Sequence, residues 1–235
     1  MQISFSLWLF GGYIVQSFVV EDDIRRHVHI FGFAFAPGFQ FCYNPLTFSS
    51  TAAAPLSGKR AVAIGRLVPQ KRFGDAIKAW AAVAGKYPDW TLDIFGEGKE
   101  RPYLEKLISA SGLEGKVRLM GTTSRIRDEL LQSSFILMSS SYEGFPMVLL
   151  EAAACGVPMV SYNCPSGPAE IIADGKNGFL VPSGDVSALA DACGCIISMD
   201  RTPLGIAALE TARNFSPEAI VSRWEKLFEE LSCTP

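Results

Sequence analysis

Residues 141–160 read SYEGFPMVLLEAAACGVPMV, and the parsing of this stretch decides the fold. It follows FILMS (135–139), a short apolar run of strand type, and its own start, SSYEG, has loop character. Pro146 suits the first helical position, and Gly156 suits the residue just past a helix end. The spacing therefore predicts strand, loop, helix and then a further strand, VPMVSY (157–162). Two glutamates stand in this otherwise apolar company. Glu143 falls in the loop, whereas Glu151 falls in the second helical turn among Leu149, Leu150, Ala152 and Ala153. Carboxylates seldom occupy such surroundings without a partner.

The same unit recurs on both sides. AVAIG (61–65), TLDIFG (91–96) and KVRLMG (116–121) read as buried strands, and DAIKAWAAVAGKY and ERPYLEKLISASG carry helical spacing between them. Downstream, NGFLV (177–181) is a further strand, followed by a helix from about Asp185. The chain closes with SPEAIVSRWEKLFEEL, in which Ser216 suits an N-cap and Pro217 the first helical position. Ile220, Trp224, Leu227, Phe228 and Leu231 would form its apolar face. This alternation predicts an α/β fold: a Rossmann-like parallel sheet with helices on both faces, binding its ligand in the strand-to-helix loops. Residues 1–60 lack the rhythm, and 47–59 read as a linker.

Composition narrows the function. Hydrophobic residues make up 49% of the 235 and charged ones 19%, enough for a core and too apolar for disorder. A formal net charge of -3 argues against a nucleic-acid partner, which would need a basic stripe. The six cysteines form no CxxC pair, and His27 and His29 are the only histidines, which argues against zinc. Cys155 and Cys193 lie in apolar helical patterns and read as small core residues of a reduced, cytosolic-type protein. Residues 3–20 carry no charge and nearly reach bilayer-spanning length. Their serines, Gln16 and two glycines, with no basic flank and an acidic Glu21-Asp22-Asp23 after them, favour buried structure over a membrane anchor. A second aromatic run, FGFAFAPGFQF (31–41), is too short to span.

Three loops carry chemistry. GRLVPQKRF (65–73) places Arg66 and Lys71 at a strand end, suited either to a diphosphate or to a solvated basic turn. It lacks the GxGxxG fingerprint, so nicotinamide cofactors lose weight. In GEGKER (96–101), Gly96 and Gly98 either admit a ligand to the backbone or make the turn. The amides of Phe145, Met147 and Val148 fall at a helix N-terminus, where anions bind readily. Glu143 could serve there as a favourable dipole partner. Glu151 could accept both hydroxyls of a ribose, or pair with a buried cation.

In chain order GRLVPQKRF, GEG, SSYEGFPMVLLEAAACGVPMVSY, CPSGPAEII (164–172) and DGKNGFLV (174–181) closely resemble the donor-binding domain of family 4 (group 1) retaining glycosyltransferases. Those enzymes are built from two facing Rossmann-like domains, and the resemblance covers about residues 42–232. It implies that Arg66 and Lys71 hold the donor diphosphate, Glu151 binds the ribose, and Glu143 contacts the transferred sugar. Arg66, Lys71 and Glu143 would be catalytic, with Gly65, Gly96, Gly98, Gly144, Phe145, Met147 and Val148 completing the donor site. The expected donor is a nucleotide sugar, a UDP-sugar ahead of a GDP-sugar, and the expected acceptor a cell-surface glycan or lipid-linked sugar. No cofactor is implied. The chain holds no Asp-x-Asp motif, which fits a metal-independent reaction, and it declares no covalent nucleophile. The resemblance implies that retention proceeds on one face of the sugar with help from the leaving phosphate.

The resemblance also sets the expected layout: 1–48 the end of an acceptor-binding domain and the crossing out of it, 49–60 a linker, 61–215 the nucleotide-sugar domain, and 216–235 a helix returning toward the N-terminal domain. The N-terminal domain itself would be incomplete, and transfer by the chain alone correspondingly poor. A cytoplasmic location is expected, with peripheral association at the inner membrane face suiting such an acceptor. Two alternatives stand beside the enzyme: a non-catalytic nucleotide-sugar module working with a separate acceptor subunit, and an unrelated Rossmann-type cofactor binder, which the missing glycine fingerprint disfavours.

Overall fold

The computed structural model describes the backbone of residues 3–10, 13–20, 44–48, 50 and 52–232, and the side chains of 44–48, 50, 52–226 and 229. The chain divides into two compact units, one of Asn44–Ala219 and one of Met1–Tyr43 with Ile220–Pro235.

The larger unit alternates strand and helix throughout. Its elements are β3 (Arg60–Ile64), α1 (Phe73–Lys86), β4 (Thr91–Phe95), α2 (Arg101–Ala110), β5 (Val117–Gly121), α3 (Ile126–Leu131) and β6 (Phe135–Met138). There follow α4 (Met147–Ala154), β7 (Met159–Asn163), α5 (Pro168–Ile171), β8 (Gly178–Pro182), α6 (Val186–Ser198) and α7 (Thr202–Arg213). The six strands are all parallel, in the order β5-β4-β3-β6-β7-β8. The inner strands β4, β3, β6 and β7 are covered on both faces, which is why their residues read as largely apolar runs without alternation, whereas the edge strand β5 exposes Arg118 and Met120. Ala61, Val62, Ala63, Phe135 and Ile136 are fully buried. Trp80 and Trp90 pack on Phe135 with ring centroids 6.2 and 5.9 Å away.

This order is that of a doubly wound Rossmann sheet, and it changes direction between β3 and β6. Chain leaving β3 crosses to one side, and chain leaving β6 to the other. A crevice opens between the two departing loops at the carboxyl ends of the strands, where such sheets bind ligands. Those loops are 65–72 and 139–146, the two that carry Lys71 and Glu143.

Two features differ from the sequence expectation. Residues 3–20 form β1 (Ile3–Phe10) and β2 (Tyr13–Val20), antiparallel and in continuous register from Ile3↔Val20 to Phe10↔Tyr13. What read as one apolar run is thus two strands, and the register sets Ser4, Ser6 and Ser17 on one face of the ribbon and Gln16 on the other. The burial of those side chains, and the aromatic run 31–41, lie outside the described residues. The putting of Pro146 at the first helical position is also corrected: Pro146 is the N-cap and the helix starts at Met147. Gly156 does follow the helix end, at φ 67°, with its N–H donating to Ala153 O at 2.9 Å.

The last helix, α8 (Pro217–Ser232), starts as expected, with Ser216 Oγ accepting from the Ala219 N–H at 3.2 Å. Of its expected apolar face, Leu227, Phe228 and Leu231 lie outside the described side chains. Among the described residues no helix is long and apolar enough to cross a membrane. Cys155 and Cys193 are fully buried free thiols, and burial pushes the Cys155 thiol up to about 11.

One buried charge has no counterpart in the sequence reading. Asp93, central in β4, is 1% exposed and joins Arg60 Nε at 2.6 Å and Arg118 Nε at 2.6 Å. Arg60 also reaches Glu129 at 2.7 Å and lies 5.5 Å from the Phe95 ring. Arginine forks from both neighbouring strands thus neutralise a carboxylate that the sheet has removed from water.

Candidate functional site

The two crevice loops are stitched together before any ligand is considered. Gln70 O accepts from the Ser141 N–H at 2.8 Å, and Gln70 Nε2 donates to Tyr142 O at 2.8 Å. Ser139 Oγ donates to Lys71 O at 2.8 Å. Lys71 ends a single 3-10 turn (Pro69–Lys71), after which Arg72, at φ 48°, swings the chain into α1 and is held by Asp75 at 2.7 Å. The result brings Lys71 Nζ to 2.6 Å from Glu143 Oε1. Their side chains are 19% and 9% exposed, so the pair is largely withdrawn from water and each charge depends on the other. Arg66 stands exposed on the same loop.

The glycines divide by what they touch. A Cβ at Gly65 would press on the Lys71 stem at 3.3 Å, so this position keeps room for the lysine. At Gly96 (φ 145°) a Cβ would meet Gly65 O at 1.8 Å, and at Gly98 one would meet Leu67 O at 2.4 Å. Gly96 and Gly98 therefore form a backbone seam against the β3 loop, closed by Leu67 N–H to Glu97 O at 2.9 Å and Glu100 N–H to Leu67 O at 3.0 Å. A Cβ at Gly144 would meet nothing within 4 Å and would face open space. Gly96→Ala is expected to displace the Lys71 loop and lower stability by about 2 kcal/mol, from overlap with backbone that cannot rotate away. Urea unfolding measures it, and a change under about 0.5 kcal/mol, the usual scatter of surface substitutions, would show that the seam yields.

At the head of α4 the chain is sharply folded. Pro146, at φ -79° and ψ 80°, is the centre of an inverse γ-turn in which the Met147 N–H donates to Phe145 O at 2.9 Å. Met147's amide is thereby turned back into its own chain, and Val148's is the next in the first helical turn. The CPSGP loop closes over this turn: a Cβ at Gly167 would lie 2.2 Å from Pro146 Cδ, and the Glu143 N–H reaches Pro165 O at 3.5 Å.

Glu151 is half-buried on α4, and its Oε1 accepts from Thr47 Oγ1 at 2.8 Å. Burial raises its carboxyl pKa above the ordinary 4.5, and the Thr47 bond partly opposes that. A carboxyl raised in this way is held less well as an anion by the folded chain than by the unfolded one. Stability therefore falls as pH climbs from 4.5 through the folded value, and the loss is complete above it. Glu151→Gln should accordingly raise Tm at pH 7, with the gain vanishing below about pH 4, where both states are protonated. An unchanged melting curve at pH 7 would mean that the carboxylate is well solvated.

Lys71 and Glu143 are thus brought together from two loops, Arg66 shares the loop of Lys71, and Glu151 rides the helix that follows Glu143. Sequence reasoning missed Gln70, Ser139 and Ser141, whose role is visible only once the two loops are adjacent, and Thr47. A polar cluster SSS (139–141) directly after an apolar strand was the available signal for the serines.

The family model for glycosyl transferases group 1 matches residues 50–219. The chain belongs to this family. An exopolysaccharide phosphotransferase of Streptomyces coelicolor is 42% identical over 199 residues, 83% of this chain and 21% of the relative. The lipopolysaccharide core biosynthesis glycosyltransferase LpsE of Rhizobium meliloti is 35% identical over 176 residues, 74% of this chain and 50% of the relative. The chain thus spans half or less of the length of these two curated relatives. Among solved structures, the lipopolysaccharide outer core galactosyltransferase WaaB in its apo form aligns with a TM-score of 0.72 at 26% identity, over 81% of this chain and 55% of that one. S. aureus TarM, solved with Fondaparinux, alpha-GlcNAc-glycerol and UDP, aligns at 0.69 and 28% identity, over 81% of this chain and 38% of that one. The group 1 chain therefore has the Rossmann-like α/β fold expected from its sequence.

Proposed function

We propose that this group 1 chain binds the donor in transfer of a hexosyl unit from a UDP-sugar to a cell-surface polysaccharide or glycolipid acceptor. The observation that carries the reading is the Lys71–Glu143 pair at the sheet's change of direction, with Glu151 on the helix that follows. Lys71 and Arg66 would hold the diphosphate, Glu151 the ribose, and Glu143 a hydroxyl of the transferred sugar. Gly144 borders open space where a sugar would fit, and the Val148 amide adds the positive end of α4. Breaking the bond from anomeric carbon to phosphate builds charge on the leaving diphosphate and an oxocarbenium-like sugar. Fixed cations lower the first cost, and a carboxylate beside the sugar lowers the second. Retention of configuration and independence of metal belong to the same proposal, supported by the family resemblance and the absence of an Asp-x-Asp motif.

UDP in two solved relatives, TarM and the pneumococcal GtfA complex with UDP and GlcNAc, supports a uridine donor over a guanosine one. The names of the relatives support a surface-glycan acceptor, and a place at the cytoplasmic membrane face, which would suit such an acceptor, belongs to the same proposal. Residues 61–215 would form the nucleotide-sugar domain, 49–60 its leading linker, 1–48 the crossing from an acceptor-binding domain, and 216–235 the helix that returns to it. A second reading, a nucleotide-sugar module that works with a separate acceptor subunit, draws on relatives named as the GtfA subunit of a peptide N-acetylglucosaminyltransferase, 27% and 29% identical. Calorimetry with UDP, GDP and NADH tests the shared part: UDP should bind best and NADH not at all. Transfer from UDP-sugars to candidate acceptors then separates the two readings, since the binding module would give affinity without turnover.

A further inference from the structure

Thr47 precedes Glu151 by 104 positions, in a segment without helix or strand, yet its hydroxyl is spent on that one carboxylate. The side chain is otherwise exposed and could have been solvated at no cost. Its neighbour is anchored too. The Leu46 N–H donates to Phe215 O at 2.9 Å, and the Phe215 ring packs on Phe145 with centroids 5.8 Å apart. Phe145 lies on the glutamate loop, so residues 46–47 reach Glu151 directly and the head of its helix through Phe215.

We propose that Thr47 is a positioning residue of the donor site, engaging one oxygen of the Glu151 carboxylate and leaving the other for the ribose hydroxyls. The inference rests on the ribose reading of Glu151. A glutamate with a free carboxyl samples several rotamers, and a ligand that needs one of them must select it. A bond to Oε1 removes much of that freedom beforehand, while a carboxylate still has ample lone pairs for two more donors. The same bond opposes the rise in the carboxyl pKa caused by burial, keeping Glu151 ionised to lower pH. Cys155, the C-cap of α4, is electrostatically coupled to Glu151 and to Arg127, and α3, which packs against α4, also carries Asp128 and Glu129. Glu170 on α5, Glu210 and Arg213 on α7, and Tyr162 on β7 belong to the remaining elements packed against α4.

The test is calorimetry of the full chain with UDP from pH 5 to 8, comparing wild type with Thr47→Val, Thr47→Ser and Glu151→Ala. Thr47→Val keeps the volume at an exposed position and removes only the donor. It should weaken UDP binding about three- to tenfold, the worth of one hydrogen bond, and move the acid loss of binding to higher pH. Thr47→Ser should restore both. Wild-type affinity and pH midpoint in Thr47→Val, alongside loss in Glu151→Ala, overturn the inference and spare the ribose reading. Failure of Thr47→Ser to restore binding also overturns it, since the methyl would then be what matters. Wild-type binding by Glu151→Ala removes the ribose reading itself, and the inference with it.

Discussion

Glu151→Ala is expected to weaken UDP binding about 100-fold, or ~3 kcal/mol, through loss of two charge-assisted hydrogen bonds of about 1.5 kcal/mol each. The carboxylate sits half-buried and accepts one hydrogen bond, from Thr47 to Oε1, among the described residues, so little else would fill its place. Comparison with 2′-deoxy-UDP locates the effect. Wild type should lose affinity for the deoxy ligand, and the variant should no longer tell the two ligands apart. A variant that still prefers UDP over its deoxy analogue would place the ribose elsewhere. Glu151→Gln provides a control of equal shape: it is predicted above to melt higher, and it should also bind UDP less tightly. A site residue that costs stability and confers binding is the pattern expected where function, and not packing, selects the side chain.

Asp93→Ala should lower stability by about 3 kcal/mol, because it strands Arg60 and Arg118 beside one another where a buried anion had joined them. Arg60 retains Glu129, and Arg118 is 47% exposed, which keeps the loss toward the lower end for a buried ion pair. Urea unfolding measures it directly. Arg60 opens β3, whereas the crevice loops leave the other end of that strand, so UDP affinity of the folded variant should be unchanged. A loss below about 1 kcal/mol, the range of exposed pairs, would mean that water already screens the cluster.

The sheet was legible because parallel strands covered on both faces must be apolar along their whole length. AVAIG, FILMS and VPMVSY therefore stood out, and each strand falls within two residues of its expected bounds. The loops carrying Lys71 and Glu143 were legible for a related reason: a doubly wound sheet presents its ligand at strand ends, so charges there had one place to act. The hairpin of β1 and β2 was not, since an uninterrupted apolar stretch with few polar residues suits a ribbon, a core segment and a membrane span alike. Thr47 left no trace, as a loop threonine has no period and its partner is remote in sequence. Asp93 left a faint one. An acid inside TLDIF, with Arg60 and Arg118 on strands that prove adjacent, becomes meaningful only when the strand order is known.

The 2.6 Å contact between Lys71 and Glu143 has a bearing on how a reaction cycle would end. On the proposed donor reading, a diphosphate that recruits Lys71 would compete with Glu143 for its ammonium, so ligand entry would be an exchange of counter-ions. An intact donor brings sugar hydroxyls that can satisfy the released carboxylate. Spent nucleotide brings none, and leaves a largely buried anion facing phosphate without a proton donor. The empty pair would then compete with product far better than with donor, and the lysine returning to its glutamate would help to expel what remains after transfer.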